Sequence, residues 1–227
     1  MDHWKSPLAT FLNLDEIAVL LRSQREVAYN SKNVLFEKGQ PIEHIMLICF
    51  GSVSLEAGDK SSAERIVYSF RQRGDFLGLM VYLDDQARHE ATARCLESTK
   101  VLLFPKDIFL QLAGKSENLR NEVKNQVAKS FRELQEDRHL LRQGAPRRLA
   151  QILLSLYENQ RDVVSQSIPL PLSRADLARR VGIEPETAIR ILCDWESQGI
   201  LKKRRRLLEV CDYQALRRRA GFDVGSV

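Results

Sequence analysis

The chain reads as an α+β protein. It has a β-rich N-terminal half, one long uninterrupted helix and a C-terminal winged helix-turn-helix. Three observations carry this expectation. Residues 172–199, LSRADLARRVGIEPETAIRILCDWESQG, hold two short amphipathic helices joined by a glycine-containing turn. Between Val34 and Phe104, short apolar runs are broken by Gly, Asp and Ser, the pattern of a β-sandwich or barrel. From Glu117 to Arg142 the sequence holds neither Gly nor Pro. The expected organisation is a β-rich domain over 1–116, the long helix and its hinge over 117–143, and the helix-turn-helix domain over 144–227.

The elements follow in order. Residues 8–24 read as a short amphipathic helix. The strands come from VLFEKG, HIMLICFGSVSLEAG, RIVYSFRQRGDFLG and KVLLFP. Pro105-Lys-Asp opens a short helix, KDIFLQLAG. In the long helix, Val127, Phe131, Leu134, Arg138 and Leu141 are spaced 4, 3, 4, 3, a coiled-coil-like seam that suits pairing with a second chain through 117–142. Leu119 and Val123 extend it less regularly. Gln143-Gly144-Ala145-Pro146 breaks the helix and marks a hinge. Residues 147–159 form another helix, with Leu149, Ile152, Leu153, Leu156 and Tyr157 inward.

Ser173 and Asp176 have the spacing of a capping box, and Gly182 closes the first helix of the pair. Ala178 is small enough for close helix approach. Pro185 suits the first turn of the second helix, where its missing N–H costs nothing. That helix has two faces. Ala188, Ile191, Leu192 and Trp195 form an apolar stripe at i, i+3, i+4, i+7. Glu186, Ile189, Arg190 and Cys193 repeat the spacing on another face. Arg pairs with guanine, Glu accepts from cytosine N4, and an apolar side chain suits a thymine methyl. Glu186, Ile189 and Arg190 are therefore the candidate base readers. The bland alternative is a solvated Glu186–Arg190 salt bridge. ILKKRRRLLEVCD then reads as a β-hairpin wing. Lys202, Lys203, Arg204, Arg205 and Arg206 crowd its tip, and with Ser173, Arg174 and Thr187 they are the candidate phosphate contacts. For Arg217, Arg218 and Arg219, phosphate contact and a flexible basic tail are both open.

Composition narrows the function. The 227 residues are 44% hydrophobic and 29% charged, as in ordinary globular proteins. No apolar run approaches the ~20 residues that span a bilayer. The N-terminus has no signal-peptide pattern, so no membrane association and a cytoplasmic location are expected. Residues 144–227 hold 15 Lys+Arg against 10 Asp+Glu, whereas the remainder holds 20 of each. All excess positive charge thus lies with the helix-turn-helix, the footprint of a phosphate-binding module. Cys49, Cys95, Cys193 and Cys211 form no CxxC, so no zinc or iron–sulfur site is expected from spacing. Cys49 and Cys95 read as buried thiols, and Cys193, on the presumptive DNA face, as a candidate redox sensor. GxSxG, P-loop and HExxH motifs are absent, Asp84-Asp85 reads as a solvated turn, and an enzyme is not expected.

This order of parts resembles the CRP/FNR family of bacterial transcription regulators. The resemblance covers nearly the whole chain. It rests on Phe36-Glu-Lys-Gly39, Gly51-Ser-Val53, Gly74-Asp-Phe-Leu-Gly78, the long helix, and Glu186-Thr187-Ala188-Ile189-Arg190. It implies an N-terminal β-roll, a cyclic-nucleotide-binding-like jelly roll acting as effector domain, followed by a dimerisation helix and a winged helix-turn-helix. It also implies a homodimer on double-stranded DNA, a palindromic TGA-like site read by Glu186 and Arg190, and RNA polymerase as a partner. Where relatives often carry Ser or Gly this chain has Ile189. Pro185 stands where the cyclic-AMP class has a further arginine, and the wing lacks the usual turn glycine.

The resemblance places an effector pocket at Gly78, Leu79, Met80, Arg88, His89 and Leu134. Cyclic-AMP binders carry Glu where Leu79 stands and Arg-Ser where this chain reads Arg88-His89-Glu90. Their adenine-contacting pair falls near Glu133-Leu134. Cyclic AMP is therefore not expected, nor is the cluster of the iron–sulfur class. His44, His89 and His139 are conceivable haem ligands, but nothing in the sequence pairs them, and no cofactor is expected. The expected function is a DNA-binding regulator controlled by an unidentified effector or by abundance. The alternative is a ligand-binding regulator whose winged helix serves protein contact.

Overall fold

The structure, a computed structural model, describes residues 12–58, 66–140, 142–158, 167–168, 173–204 and 207–222. The backbone forms two compact units, 1–134 and 135–227.

In the first unit, helix α1 (Leu14–Ser23) starts at Asn13. The Asn13 side chain accepts from the Glu16 N–H, and the Glu16 carboxylate accepts from the Asn13 N–H. Part of the 8–24 expectation, 8–11, lies outside the described residues. Eight strands follow: β1 (Arg25–Tyr29), β2 (Val34–Phe36), β3 (His44–Phe50), β4 (Ser52–Ala57), β5 (Ile66–Gln72), β6 (Phe76–Leu77), β7 (Thr92–Cys95) and β8 (Thr99–Pro105). They make two antiparallel sheets, ordered β1-β8-β3-β6 and β2-β7-β4-β5. Helices α2 (Lys106–Lys115) and α3 (Glu117–Leu140) come next.

The stretch 45–49 is apolar throughout because the middle of β3 is buried on both faces. Ile45 and Leu47 join one cluster with Leu102, Phe104 and the helix residues Leu20, Phe109, Leu119 and Val123. Met46 and Ile48 join the other, with Val53 and Ala93 of the facing sheet and Val101 of the neighbouring strand β8. A doubly covered strand needs no polar face. The opposite case is β1, an exposed edge strand whose Arg25 and Glu26 obscure the alternation, as charged residues on sheet edges do. Leu119 and Val123 are fully buried, so the start of α3 belongs to the first unit.

Turns complete the sheets. Gly51 joins β3 to β4 at φ +85°, and a Cβ there would lie 2.6 Å from the Ser98 carbonyl oxygen and 2.9 Å from Thr99 Cα. At Gly39, also at φ +85°, a Cβ would meet nothing within 4 Å. Beside β2, the His89 ring stacks on Phe36 with centroids 3.5 Å apart and planes 12° apart. His89 is 7% exposed, and burial pushes its imidazole down to about 4.

The second unit comprises α4 (Ala145–Glu158), β9 (Ser167–Ile168), α5 (Arg174–Val181), α6 (Pro185–Ser197), β10 (Leu201–Arg204), β11 (Leu207–Val210) and α7 (Tyr213–Ala220). Pro146 sits in the first turn of α4 and helps begin that helix, two residues earlier than expected, because its ring is already set for helical φ. Leu149, Ile152 and Leu153 are buried as expected, together with Ala150 and Leu154. β9 pairs with β11, giving a three-stranded sheet ordered β10-β11-β9. Arg217, Arg218 and Arg219 are helical, in the last turn of α7. The Asp212 side chain caps α7 at one end. At the other, Arg147 and Gln151 donate to the Ala220 carbonyl at 3.1 and 2.8 Å. These contacts hold the segment as a helix, so the flexible-tail reading is corrected.

Two expectations follow. Gly51→Ala should cost about 3 kcal/mol, from left-handed backbone strain plus the clash with Ser98, against about 1 kcal/mol for Gly39→Ala, measured by urea unfolding. Equal losses would contradict the packing described for Gly51. For His89, the unfolded chain takes up the imidazole proton near pH 6.5 and the folded chain only near 4. Stability therefore falls as pH drops through this window, by roughly 2 kcal/mol between pH 7 and 5. His89→Phe should flatten that acid-side loss, and an unaltered pH profile would contradict the buried neutral imidazole.

Candidate nucleic-acid interface

The helix-turn-helix is built from local rules. Ser173 Oγ accepts the Asp176 N–H at 3.1 Å, and the Asp176 carboxylate accepts the Ser173 N–H at 2.9 Å. Helix α5 ends at Gly182, in the left-handed region at φ 69°, and the Ile183 N–H reaches back to the Ala178 carbonyl. Arg148 of α4 donates to the carbonyls of Val181 and Gly182 at 3.0 and 3.4 Å. It fixes the turn from outside, a role that sequence pattern alone did not reveal. Pro185 opens α6. Ala178 and Ala188 are both fully buried, leaving little side chain to separate the two helices.

Helix α6 presents the two faces expected. Ala188, Ile191, Leu192 and Trp195 are buried, and Trp195 is 1% exposed. Glu186, Arg190 and Cys193 are exposed, and Ile189 and Thr187 half-buried. Glu186 and Arg190 lie one turn apart, yet neither makes a hydrogen bond or ion pair among the described residues. Both keep their hydrogen-bonding capacity for an external partner.

The wing is an antiparallel hairpin with Leu201 opposite Val210 and Lys203 opposite Leu208. Lys202 and Lys203 are exposed, and as neighbours on a strand they leave opposite faces. Arg205 and Arg206 lie outside the described residues, as does the Arg204 side chain. Ser173 is exposed and Arg174 half-buried at the N-terminus of α5.

Among the described residues, those anticipated as an effector pocket have different surroundings. Gly78 takes φ +85° ahead of a 3₁₀ turn, Leu79–Tyr82. Leu79 faces the apolar core, whereas Met80 is exposed. Arg88 donates to the Gly39 carbonyl at 2.9 Å, and His89 lies against Phe36. The Leu134 side chain is outside the described residues. A surface cavity between Pro41–Glu43, Asp85–Arg88 and Pro105–Asp107 takes Arg88 alone from this set.

A polar cluster that the sequence did not signal lies instead between β5 and α3. Arg71 donates to Glu133 at 2.8 Å and to Ser130 Oγ at 3.1 Å, and Ser69 Oγ donates to Glu133 at 3.0 Å. Arg71 also donates to Ser69.

Metal donors are sparse. Cys49 and Cys95 are buried on β3 and β7, in different sheets, whereas Cys193 and Cys211 are exposed. Burial pushes the Cys49 thiol up to about 11 and raises that of Cys95, opposite to what a thiolate ligand needs. Among the described residues, no group of three or more His, Cys, Asp or Glu could hold a metal ion, and no helix is long and apolar enough to cross a membrane.

Comparison with known proteins agrees with the two units. Residues 26–116 match the cyclic nucleotide-binding domain and residues 147–219 the Crp-like helix-turn-helix domain. The chain is 26% identical over 206 residues to the anaerobic regulatory protein of Pasteurella multocida, spanning 89% of this chain and 74% of that protein. It is 25% identical over 211 residues to the fumarate and nitrate reduction regulatory protein of Vibrio cholerae, spanning 92% and 82%. Its fold is similar to that of FixK2 from Bradyrhizobium japonicum, with TM-score 0.76, 23% identity, and coverage of 90% of this chain and 99% of that one. With a cyclic nucleotide-binding domain ahead of a Crp-like helix-turn-helix in a single chain, the protein belongs to the CRP/FNR family of DNA-binding transcription regulators.

Proposed function

We propose that this regulator acts as a homodimer on a palindromic, TGA-like site, with one α6 helix in each major-groove half-site. The observation that carries this reading is the exposed face of α6, where Glu186 and Arg190 have no side-chain partner among the described residues and stand beside Ile189 while the opposite face is buried. Arg190 reads guanine, Glu186 accepts from cytosine, and Ile189 touches an apolar base edge. Ser173, Arg174, Thr187 and the basic wing residues 202–206 hold the phosphates. Functionally the chain divides into a sensor domain over 1–116, a dimerisation helix with its hinge over 117–143 and a DNA-binding domain over 144–227. It works in the cytoplasm and affects RNA polymerase from the bound site.

Self-association runs through 117–142. Phe131 supports this, being 61% exposed on α3 at the seam position after Val127. A large apolar side chain exposed on a polar helix is the kind of surface a second copy covers.

Control comes from an effector other than cyclic AMP, an iron–sulfur cluster or haem, or from abundance. What supports this is the donor set. Leu79 faces the core and offers no ribose hydrogen bond, Arg71 is already engaged by Glu133, and the buried thiols are poor cluster ligands. His89 is stacked on Phe36, and His44 stands at the start of β3. Cys193 is exposed on the reading face, where oxidation would add bulk and polarity between protein and groove.

Three outcomes are expected. Arg190→Ala should lose about 1–3 kcal/mol at one base pair per half-site and relax discrimination there, read by fluorescence anisotropy on duplexes varied at that position. Undiminished discrimination would remove Arg190 from base reading. Lys202→Ala and Lys203→Ala should weaken all duplexes alike and each flatten the dependence of log affinity on log salt by about two units, one per protomer. A salt-independent affinity would favour a protein partner for the wing. Phe131→Glu should shift the mass in solution from dimer to monomer by light scattering, and an unchanged dimer would place the interface elsewhere.

A further inference from the structure

Helix α3 is attached to the first unit in two different ways along its length. Leu119 and Val123 are buried, and Val127 packs against the same apolar cluster. From Gln126 onward a polar attachment runs beside the apolar one and outlasts it, and its links reach β5, the turn after it and the start of β6. Gln126 Oε1 accepts the Phe76 N–H at 2.8 Å, and its Nε2 donates to the Gly74 carbonyl at 3.1 Å. Lys129 lies 3.7 Å from Asp75. Ser130 and Glu133 accept from Arg71, and Glu133 also accepts from Ser69. Helix positions ascend from 126 to 133 while positions on the β5–β6 segment descend from 76 to 69. The two elements are therefore zipped antiparallel over about two helical turns.

This attachment is set by geometry more than by area. Arg71 and Ser69 are 8% and 6% exposed, so a guanidinium sits almost out of water and depends on Glu133 for its compensating charge. An apolar contact tolerates sliding, but a largely buried ion pair with converging hydrogen bonds has one good register and strands a charge in any other. β5 shows how this was built. Its buried side chains are Val67, Ser69 and Arg71, whereas Tyr68 and Phe70 are half-buried. A strand that turns its polar residues inward has a polar partner waiting. Helix α3 continues without a break to Leu140, past residue 134 where the two units divide. Its register on the β5–β6 segment is thus a constraint on the chain that leaves the first unit.

We propose that Arg71, Ser69, Ser130 and Glu133 form a built-in clasp that fixes the register of α3 on the β5–β6 segment without a bound small molecule. With the clasp closed, the protein is DNA-competent. With it open, the stretch of α3 from 127 to 134 loosens and DNA affinity falls. The proposal rests on the reading of the chain as a DNA binder.

The test uses the full chain with no ligand added. Hydrogen exchange is followed at the amides of 127–134, and anisotropy on a TGA-N-TCA palindrome. Glu133→Ala should speed exchange there and weaken DNA binding about tenfold, within the usual span of allosteric coupling. Glu133→Gln, which removes the charge but keeps the shape, should move both readouts the same way by less. The pair Arg71→Met with Glu133→Leu replaces the ion pair by apolar groups and should restore both. Arg132→Ala, at an exposed position on the same helix, should change neither. Exchange and affinity both unchanged in Glu133→Ala would overturn the clasp. Faster exchange with full affinity would overturn it too, by reducing it to a structural tie. A wild-type protein that ignores the palindrome would refute the DNA reading, and the exchange data would still decide whether α3 is clasped.

Discussion

The burial of Trp195 with Ile191, Leu192 and Ala188 is the constraint on which the DNA-facing surface depends. These four side chains occupy one face of α6, and the second unit closes over them with Leu149, Leu153, Leu177, Leu201 and Leu216. Burying a full aromatic and two aliphatic side chains is worth several kcal/mol. No rotation of α6 keeps that packing while hiding Glu186 and Arg190. The reading face is thus a consequence of the core face, and Arg148, by closing the turn before α6, fixes where the helix starts.

The first unit solves a different problem. Its two sheets share an apolar interior, and helices cover the far side of β3 and β8. Against that background the inward-turned Ser69 and Arg71 stand out, since a buried guanidinium is tolerated only with its charge and hydrogen bonds met. Glu133 and Ser130 meet them. Apolar packing thus determines where the start of α3 lies, and polar complementarity determines how far along the β5–β6 segment it sits. The two attachments respond to different perturbations, which is what a regulated contact requires.

Much of this was legible in the sequence because local rules and tertiary packing agree. The capping box at Ser173, the glycine after Val181, Pro185 and the two-faced α6 are all short-range signals, and each has its expected geometry. The β-rich half, the long helix and the wing were equally readable as types of element. What escaped were features defined by partners distant in sequence. β1 is an exposed edge strand and lacks a clean period, and β9 is two residues long, recognisable only through its pairing with β11. The basic run at 217–219 carries no apolar signal of its own, and it is helical because Leu216 and Ala220 dock and Asp212 caps. Within the first unit, β5 buries Ser69 and Arg71 while Tyr68 and Phe70 are half-buried, because Glu133, more than sixty residues away, supplies the charge that lets Arg71 be buried. The anticipated pocket residues illustrate the same limit. Their chain positions follow the family pattern, while Arg88 and His89 are engaged by Gly39 and Phe36.

The proposed reading of base edges by the α6 face carrying Glu186, Ile189 and Arg190, as a symmetric pair, is tested most directly by selection of bound duplexes from a fully randomised pool by the purified, ligand-free protein at near-physiological salt, followed by sequencing. Enrichment of a two-fold symmetric site with TGA-like half-sites is expected. Recovery of duplexes without symmetric half-sites, at an affinity that depends on salt alone, would contradict it.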